Sequence, residues 1–209
     1  MDDATHDAEL LAAWSSGSRS AGDVLIDRYF EVVHRFFRNK VGAEIDDLVQ
    51  QTFLGCVEAR ASYRREASFK TFLLAIARNQ LFMHYRRTRN RADFSVSSIC
   101  DLGTSPTGVI ARRQEEQLVA QALQRVSLDA QVILELAYWE GLGGTAIAEV
   151  LDVPLNTAYS RLQRAKQSLR ECLRELAPDE ETLMRSLQVV GAAPERVRGT
   201  NASDSGCKR

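Results

Sequence analysis

Residues 143–166 read GGTAIAEVLDVPLNTAYSRLQRAK, and the fold turns on what joins the two helical patterns inside them. Ile147, Ala148, Val150 and Leu151 make the apolar side of a short helix, and Asp152-Val153-Pro154 breaks the period. Leu155, Ala158, Leu162, Ala165, Leu169, Cys172, Leu173 and Leu176 then form one stripe on a longer helix. At about 100° per residue, the opposite face carries Asn156, Ser160, Gln163, Arg164 and Gln167, with Tyr159 and Arg161 on the flanks. Short helix, tight turn and longer basic helix is the layout of a helix-turn-helix. Its second helix suits the DNA major groove, where Arg and Asn can pair with base edges. Two packed helices with a polar outer face also occur in bundles that bind nothing, so this stretch alone leaves both readings open.

The surrounding chain is helical as well. No alternating apolar and polar run bounded by turn residues is found, whereas the 3,4 spacing of helices recurs throughout. The spacing predicts helices near 7–16, 21–40, 46–61 and 68–91. Asp46 and Asp47 suit the positive end of the third, whose stripe is Leu48, Val49, Phe53, Cys56 and Val57. Ser68 is the expected N-cap of the fourth, with Phe69, Phe72, Leu73, Ile76 and Met83 inward and Gln80 interrupting that face. Residues 92–104, ADFSVSSICDLGT, lose the period and read as a linker. Ser105-Pro106 reads as a cap and first helical position. Helices near 106–126, 128–140, 144–151 and 154–176 follow, then a weak one near 179–190 and a small, polar tail. The expectation is an all-α chain of two small helical domains, 1–91 and 105–177, joined by the 92–104 linker, the second a helix-turn-helix. Residues 178–209 are expected to be a largely disordered tail.

Composition narrows the function. With 209 residues and 44% apolar content the chain can bury a real core. The longest apolar run, FLLAIA at 72–77, falls far short of the roughly 20 residues needed to cross a bilayer, and MDDATHDAEL has no signal pattern. A cytoplasmic location is expected. Four scattered cysteines and three histidines that do not group with them give no disulfide or metal framework, and Cys56 and Cys172 read as small buried hydrophobes. No carboxylate pair, nucleophile constellation or phosphate-cradling glycine loop stands out, so an enzyme is the least supported class.

The net charge of −1 conceals segregation. Residues 1–59 carry −6, 60–91 carry +8, 92–153 carry −6, 154–176 carry +3 and the last 33 are neutral. Two basic islands in an acidic frame supply local phosphate-binding surfaces, while the total field opposes indiscriminate adhesion to DNA.

Residues 123–173, and EGLGGTAIAEVLDVPLNTAYSRLQRAKQSL above all, resemble the promoter-binding C-terminal domain of bacterial sigma factors of the extracytoplasmic-function group, within the sigma-70 family. Residues 46–87 resemble that group's other domain: DDLVQQTFL its polymerase-docking helix, SFKTFLLAIARNQLFMHYRR the helix that recognises and opens the downstream promoter element. The resemblance implies an alternative sigma factor that binds core RNA polymerase and promoter DNA, without cofactor, metal, membrane or small-molecule substrate, and it leaves an anti-sigma partner open. It implies that Ser160, Arg161 and Arg164 contact the minus-thirty-five element, with Asn156 and Thr157 near its backbone and Tyr159 beside them. Tyr63, Arg64, Arg65, Arg78, Asn79, Arg86 and Arg87 fall to minus-ten recognition and melting, with Tyr63 stacking on a flipped base and Asn79 reading its edge. Asp47, Gln50 and Gln51 fall to polymerase docking. The chain departs from the family pattern at Gly143 (commonly Ser), Asp152 (Gly), Asn156 (Gly), Tyr159 (Lys or Arg) and Arg65 (Gly). A stand-alone helix-turn-helix regulator and a protein-binding helical adaptor are the competing readings.

Overall fold

The computed structural model describes residues 3–60, 63, 67–91 and 114–191. Among these residues the regular structure is nine α-helices: α1 Asp3–Ser15, α2 Arg19–Arg38, α3 Ile45–Ala59, α4 Phe69–Arg91, α5 Gln114–Arg125, α6 Leu128–Tyr138, α7 Gly144–Leu151, α8 Leu155–Leu176 and α9 Glu180–Gly191. The all-α expectation holds. The expected linker and cap at 92–106, the start of the helix drawn from 106, and everything beyond 191 lie outside the described residues.

Helices α1–α4 share one core. Leu25, Val33, Phe36 and Phe37 of α2 meet Leu48, Val49, Phe53 and Cys56 of α3 and Leu73, Ala77 and Leu81 of α4. Ser18 caps α2 by accepting from the Ala21 amide, and Ser68 caps α4 by accepting from the Thr71 amide at 3.1 Å. Helix α1 is fastened to α2 at two points. Asp7 accepts from both Arg28 and Tyr29. Trp14 lies on Gly22, where an added Cβ would come within 2.4 Å of the indole Nε1.

The second block is built on α8, whose buried stripe of Ala158, Leu162, Ala165, Leu169 and Leu173 packs on α5 and α6. The stripe expected there is present from Ala158 onward, but Leu155 is 41% exposed, because α8 leaves the core at its first turn. The segment read as helical near 179–190 is α9, which lies along α5.

Helix α4 differs most from expectation. Met83, expected inward, is exposed, and Phe72 and Ile76 are half-buried. The deeply buried positions are instead Phe69, Leu73, Leu74, Ala77 and Leu81, an arc too wide for one neighbour. The reason is that α4 packs against α3 on one side and α7 on the other, and the second contact cannot be read from local periodicity.

Substituting Gly22→Ala should destabilise the protein by about 1–3 kcal/mol, since the indole must leave its seat. The expected readout is a fall in Tm, at roughly 2–4 °C per kcal/mol for a chain of this size, with a red shift of the Trp14 emission. Burial pushes the Cys56 thiol up to about 12, against the pull of Arg60. Roughly one thiol in ten thousand would then be ionised at pH 8, so alkylation of the native protein followed by peptide mapping should leave Cys56 unmodified until denaturant is added.

Candidate functional site

The turn between α7 and α8 sets the aim of the polar helix. Asp152 ends α7 in the left-handed region at φ 52°, ψ 55°, and its amide and that of Val153 bond back to the last turn. Asp is the only non-glycine residue with positive φ among those described, and its short side chain tolerates that backbone better than most. Pro154 then starts α8 with its carbonyl accepting from Thr157 and Ala158.

Turned this way, α8 buries its apolar stripe and shows Asn156, Tyr159, Ser160, Arg161 and Arg164 to solvent, with Thr157 half-buried. All six residues expected at the minus-thirty-five element lie on the first three turns of one helix. Ser160 Oγ donates to the Thr157 carbonyl at 3.0 Å, and Arg164 Nε reaches the Ser160 carbonyl at 3.4 Å. Tyr159 is 40% exposed and its ring lies over Gly144, where a Cβ would fall 2.6 Å from its hydroxyl oxygen. Sequence reasoning singled out Gly143, which is the N-cap of α7, and missed Gly144. The signal available was the second glycine of a pair at the start of a helix.

The residues expected at the minus-ten element divide. Asn79, Arg86 and Arg87 are exposed on α4. Arg78 is half-buried: its guanidinium lies 4.9 Å over the Phe82 ring and donates to Asn79 Oδ1 at 3.3 Å. Burial lowers its pKa, offset first by the nearby Asp129 carboxylate. Tyr63 is half-buried too, its hydroxyl donating to the Ala67 carbonyl and its ring centroid 4.9 Å from that of Phe72. Arg64 and Arg65 lie outside the described residues.

On α3, Asp47 and Gln50 are exposed and Gln51 is half-buried, on the face away from the core. Leu54 stands one turn further on and is 54% exposed, an apolar side chain that the sequence reading passed over. Its signal was an apolar residue out of phase with the Leu48, Val49 and Phe53 stripe. Among the described residues no group of His, Cys, Asp or Glu could hold a metal ion, and no helix is long and apolar enough to cross a membrane.

Comparison with known proteins accounts for this layout. The sigma-70 region 2 family model matches residues 25–91, and the sigma-70 region 4 model matches residues 116–169. The chain is 27% identical over 182 residues to the ECF RNA polymerase sigma-E factor of Haemophilus influenzae, over 81% of this chain and 96% of that one. It is 27% identical over 186 residues to the RNA polymerase sigma-H factor of Pseudomonas aeruginosa, over 81% and 95%. Among solved structures, CnrH in complex with the cytosolic domain of CnrY has a TM-score of 0.62 at 21% identity, covering 82% of this chain and 99% of that one. RpoE of Bartonella quintana, solved with the anti-sigma factor NepR, has a TM-score of 0.57 at 21% identity, covering 73% and 96%. The chain belongs to the extracytoplasmic-function group of the sigma-70 family. It is an alternative sigma factor, directing promoter-specific transcription; matches in both blocks do not favour a stand-alone helix-turn-helix regulator.

Gly144→Ala should displace Tyr159 and lower Tm, whereas the same substitution in a Tyr159→Ala background should cost little. A double-mutant cycle on thermal unfolding measures the coupling, expected at about 0.5–3 kcal/mol for residues in contact.

Proposed function

We propose a division of labour in which α3 docks on core RNA polymerase, α4 and the loop before it hold the minus-ten element, and α8 lies in the major groove of the minus-thirty-five element. What carries this reading is the α8 face, where Asn156, Tyr159, Ser160, Arg161 and Arg164 are exposed together while every residue from Ala158 onward at the stripe spacing is buried or half-buried. Arg161 and Arg164 supply bidentate donors for base edges or phosphates; one Arg-to-base pair contributes about 1–3 kcal/mol of discrimination. Tyr159 stands where the family more often has a cation, and offers a ring edge for a thymine methyl and a hydroxyl donor instead.

For the minus-ten element, Asn79, Arg86 and Arg87 lie on the open face of α4, with Arg64 and Arg65 assigned by the resemblance and Arg78 at its inner edge. Tyr63 has its hydroxyl committed to Ala67, and its anchored, half-buried ring is the stacking surface assigned to an unstacked base. Asp47, Gln50 and Gln51 frame Leu54, giving α3 an apolar knob within a polar ring, the composition of a protein-docking patch. The chain acts by binding and strand capture, with no covalent step of its own, and works in the cytoplasm where polymerase is found. CnrH and RpoE were solved with the cytosolic domain of CnrY and with the anti-sigma factor NepR. An anti-sigma factor that covers α3 or α8 is a fitting partner for this chain as well.

Replacing both Arg161 and Arg164 with alanine should abolish the upstream footprint of the reconstituted holoenzyme and lower specific transcription at least tenfold, while core polymerase is still bound. Replacing Gln50 and Leu54 with charged residues should have the opposite pattern, with loss of polymerase in a pulldown and unchanged folding by circular dichroism. Retention of the footprint by the first variant would refute the assignment of α8.

A further inference from the structure

The two blocks are joined by charge as well as by packing. Glu140, in the turn after α6, has a fully buried side chain and faces two cations of the other block. Arg35 of α2 approaches Oε1 with Nη2 at 2.6 Å and Nε at 3.2 Å. Lys70 of α4 lies 2.7 Å from Oε2, off the hydrogen-bonding direction, and donates to the Glu140 carbonyl at 2.9 Å. Beside this cluster, Lys40 at the end of α2 donates to Glu135 of α6 and, at 2.5 Å, to the Phe36 carbonyl. Eight residues along from Lys70 on the same side of α4, Arg78 interacts electrostatically with Asp129, Asp152 and Arg161. Leu74 falls between them and is fully buried.

This arrangement cannot be the one that reads a promoter. Elements centred near minus ten and minus thirty-five are about 25 base pairs apart, on the order of 85 Å along the duplex at about 3.4 Å per pair. Arg78 and Arg161, assigned to the two elements, are here near enough to feel each other's charge.

We infer that Glu140 is an electrostatic latch: clamped between Arg35 and Lys70, it holds the two promoter-binding halves against each other until engagement with polymerase draws them apart. The inference rests on the promoter reading above for its consequence, though not for the contact itself. A seam closed on one dehydrated carboxylate suits such a device. Desolvation of Glu140 offsets much of the attraction to its partly exposed cations when it is shut, and the carboxylate regains its water when it opens. The net preference is therefore modest and reversible, unlike that of a purely apolar seam of the same size. Glu135 is the weaker member. Burial pushes its carboxyl above the ordinary range, with Lys40 pulling it back, so its charge adds less to closure than the doubly clamped Glu140.

The test is single-molecule energy transfer in the free full-length chain, with dyes on cysteines placed at the exposed positions Glu58 and Arg170 and the four native cysteines replaced. The parent chain is expected in a high-transfer state. E140Q and E140R should each move most molecules to low transfer, with helicity unchanged by circular dichroism; R35E should do the same. The full reversal R35E/K70E/E140R, which places one cation between two anions, should return the high-transfer state, a rescue that a general packing defect would not give. A parent chain already at low transfer, or an E140R chain still at high transfer, would overturn the latch. If the closed state exceeds about 90% of the free chain, E140Q should bind core polymerase about tenfold more tightly, because the binding-competent fraction rises accordingly. Opening without that gain would overturn its regulatory role. Failure of the Arg161 and Arg164 footprint test would remove the promoter assignment alone, since closure and reclosure are read without DNA.

Discussion

Helix α4 must satisfy two neighbours at once, and most of the molecule follows from how it does so. Phe69, Leu73, Leu74, Ala77 and Leu81 together cover more of its circumference than the core of α1–α3 can bury. The remainder is covered by α7, which brings the helix-turn-helix against the first block. With α7 seated, the Glu140 side chain is fully buried, and among the described residues Arg35 and Lys70 are the cations on its carboxylate. A buried carboxylate without partners would be forbiddingly costly, so packing and pairing at this seam stand or fall together.

Local rules made much of this legible from residues alone. The stripes of α3, α7 and α8, the capping serine Ser68 and the turn at Asp152 all lie within a few residues of the features that determine them. Sequence reasoning failed where a distant partner decides the outcome. Leu155 belongs by spacing to a buried stripe, yet it lies beyond the edge of the core. Met83 belongs by spacing to the inner face of α4, but the second neighbour rotates the buried arc away from it. Glu135 and Glu140 counted only towards the charge of the acidic stretch at 92–153, because their partners are 95 and 105 residues away in the chain.

The charge pattern takes on a second meaning in this light. Counted along the chain, the basic island at 60–91 and the acidic stretch at 92–153 look like a DNA-binding surface and its solvated surroundings. In the fold, part of the acidic stretch faces the basic one: Glu140 meets Lys70, and Asp129 and Asp152 face Arg78. The acidic frame thus limits promiscuous attraction to DNA twice, through the long-range field and through direct neutralisation in cis.

The seat of Tyr159 on Gly144 ties a recognition residue to a backbone position in the helix before it. A relative with any side chain at the Gly144 position has no room for an aromatic ring lying this way, and one with a small residue in place of Tyr159 gains nothing from glycine there. The two positions should drift together among descendants, so the upstream sequence that this lineage prefers can be rewritten in pairs of changes more readily than in single ones.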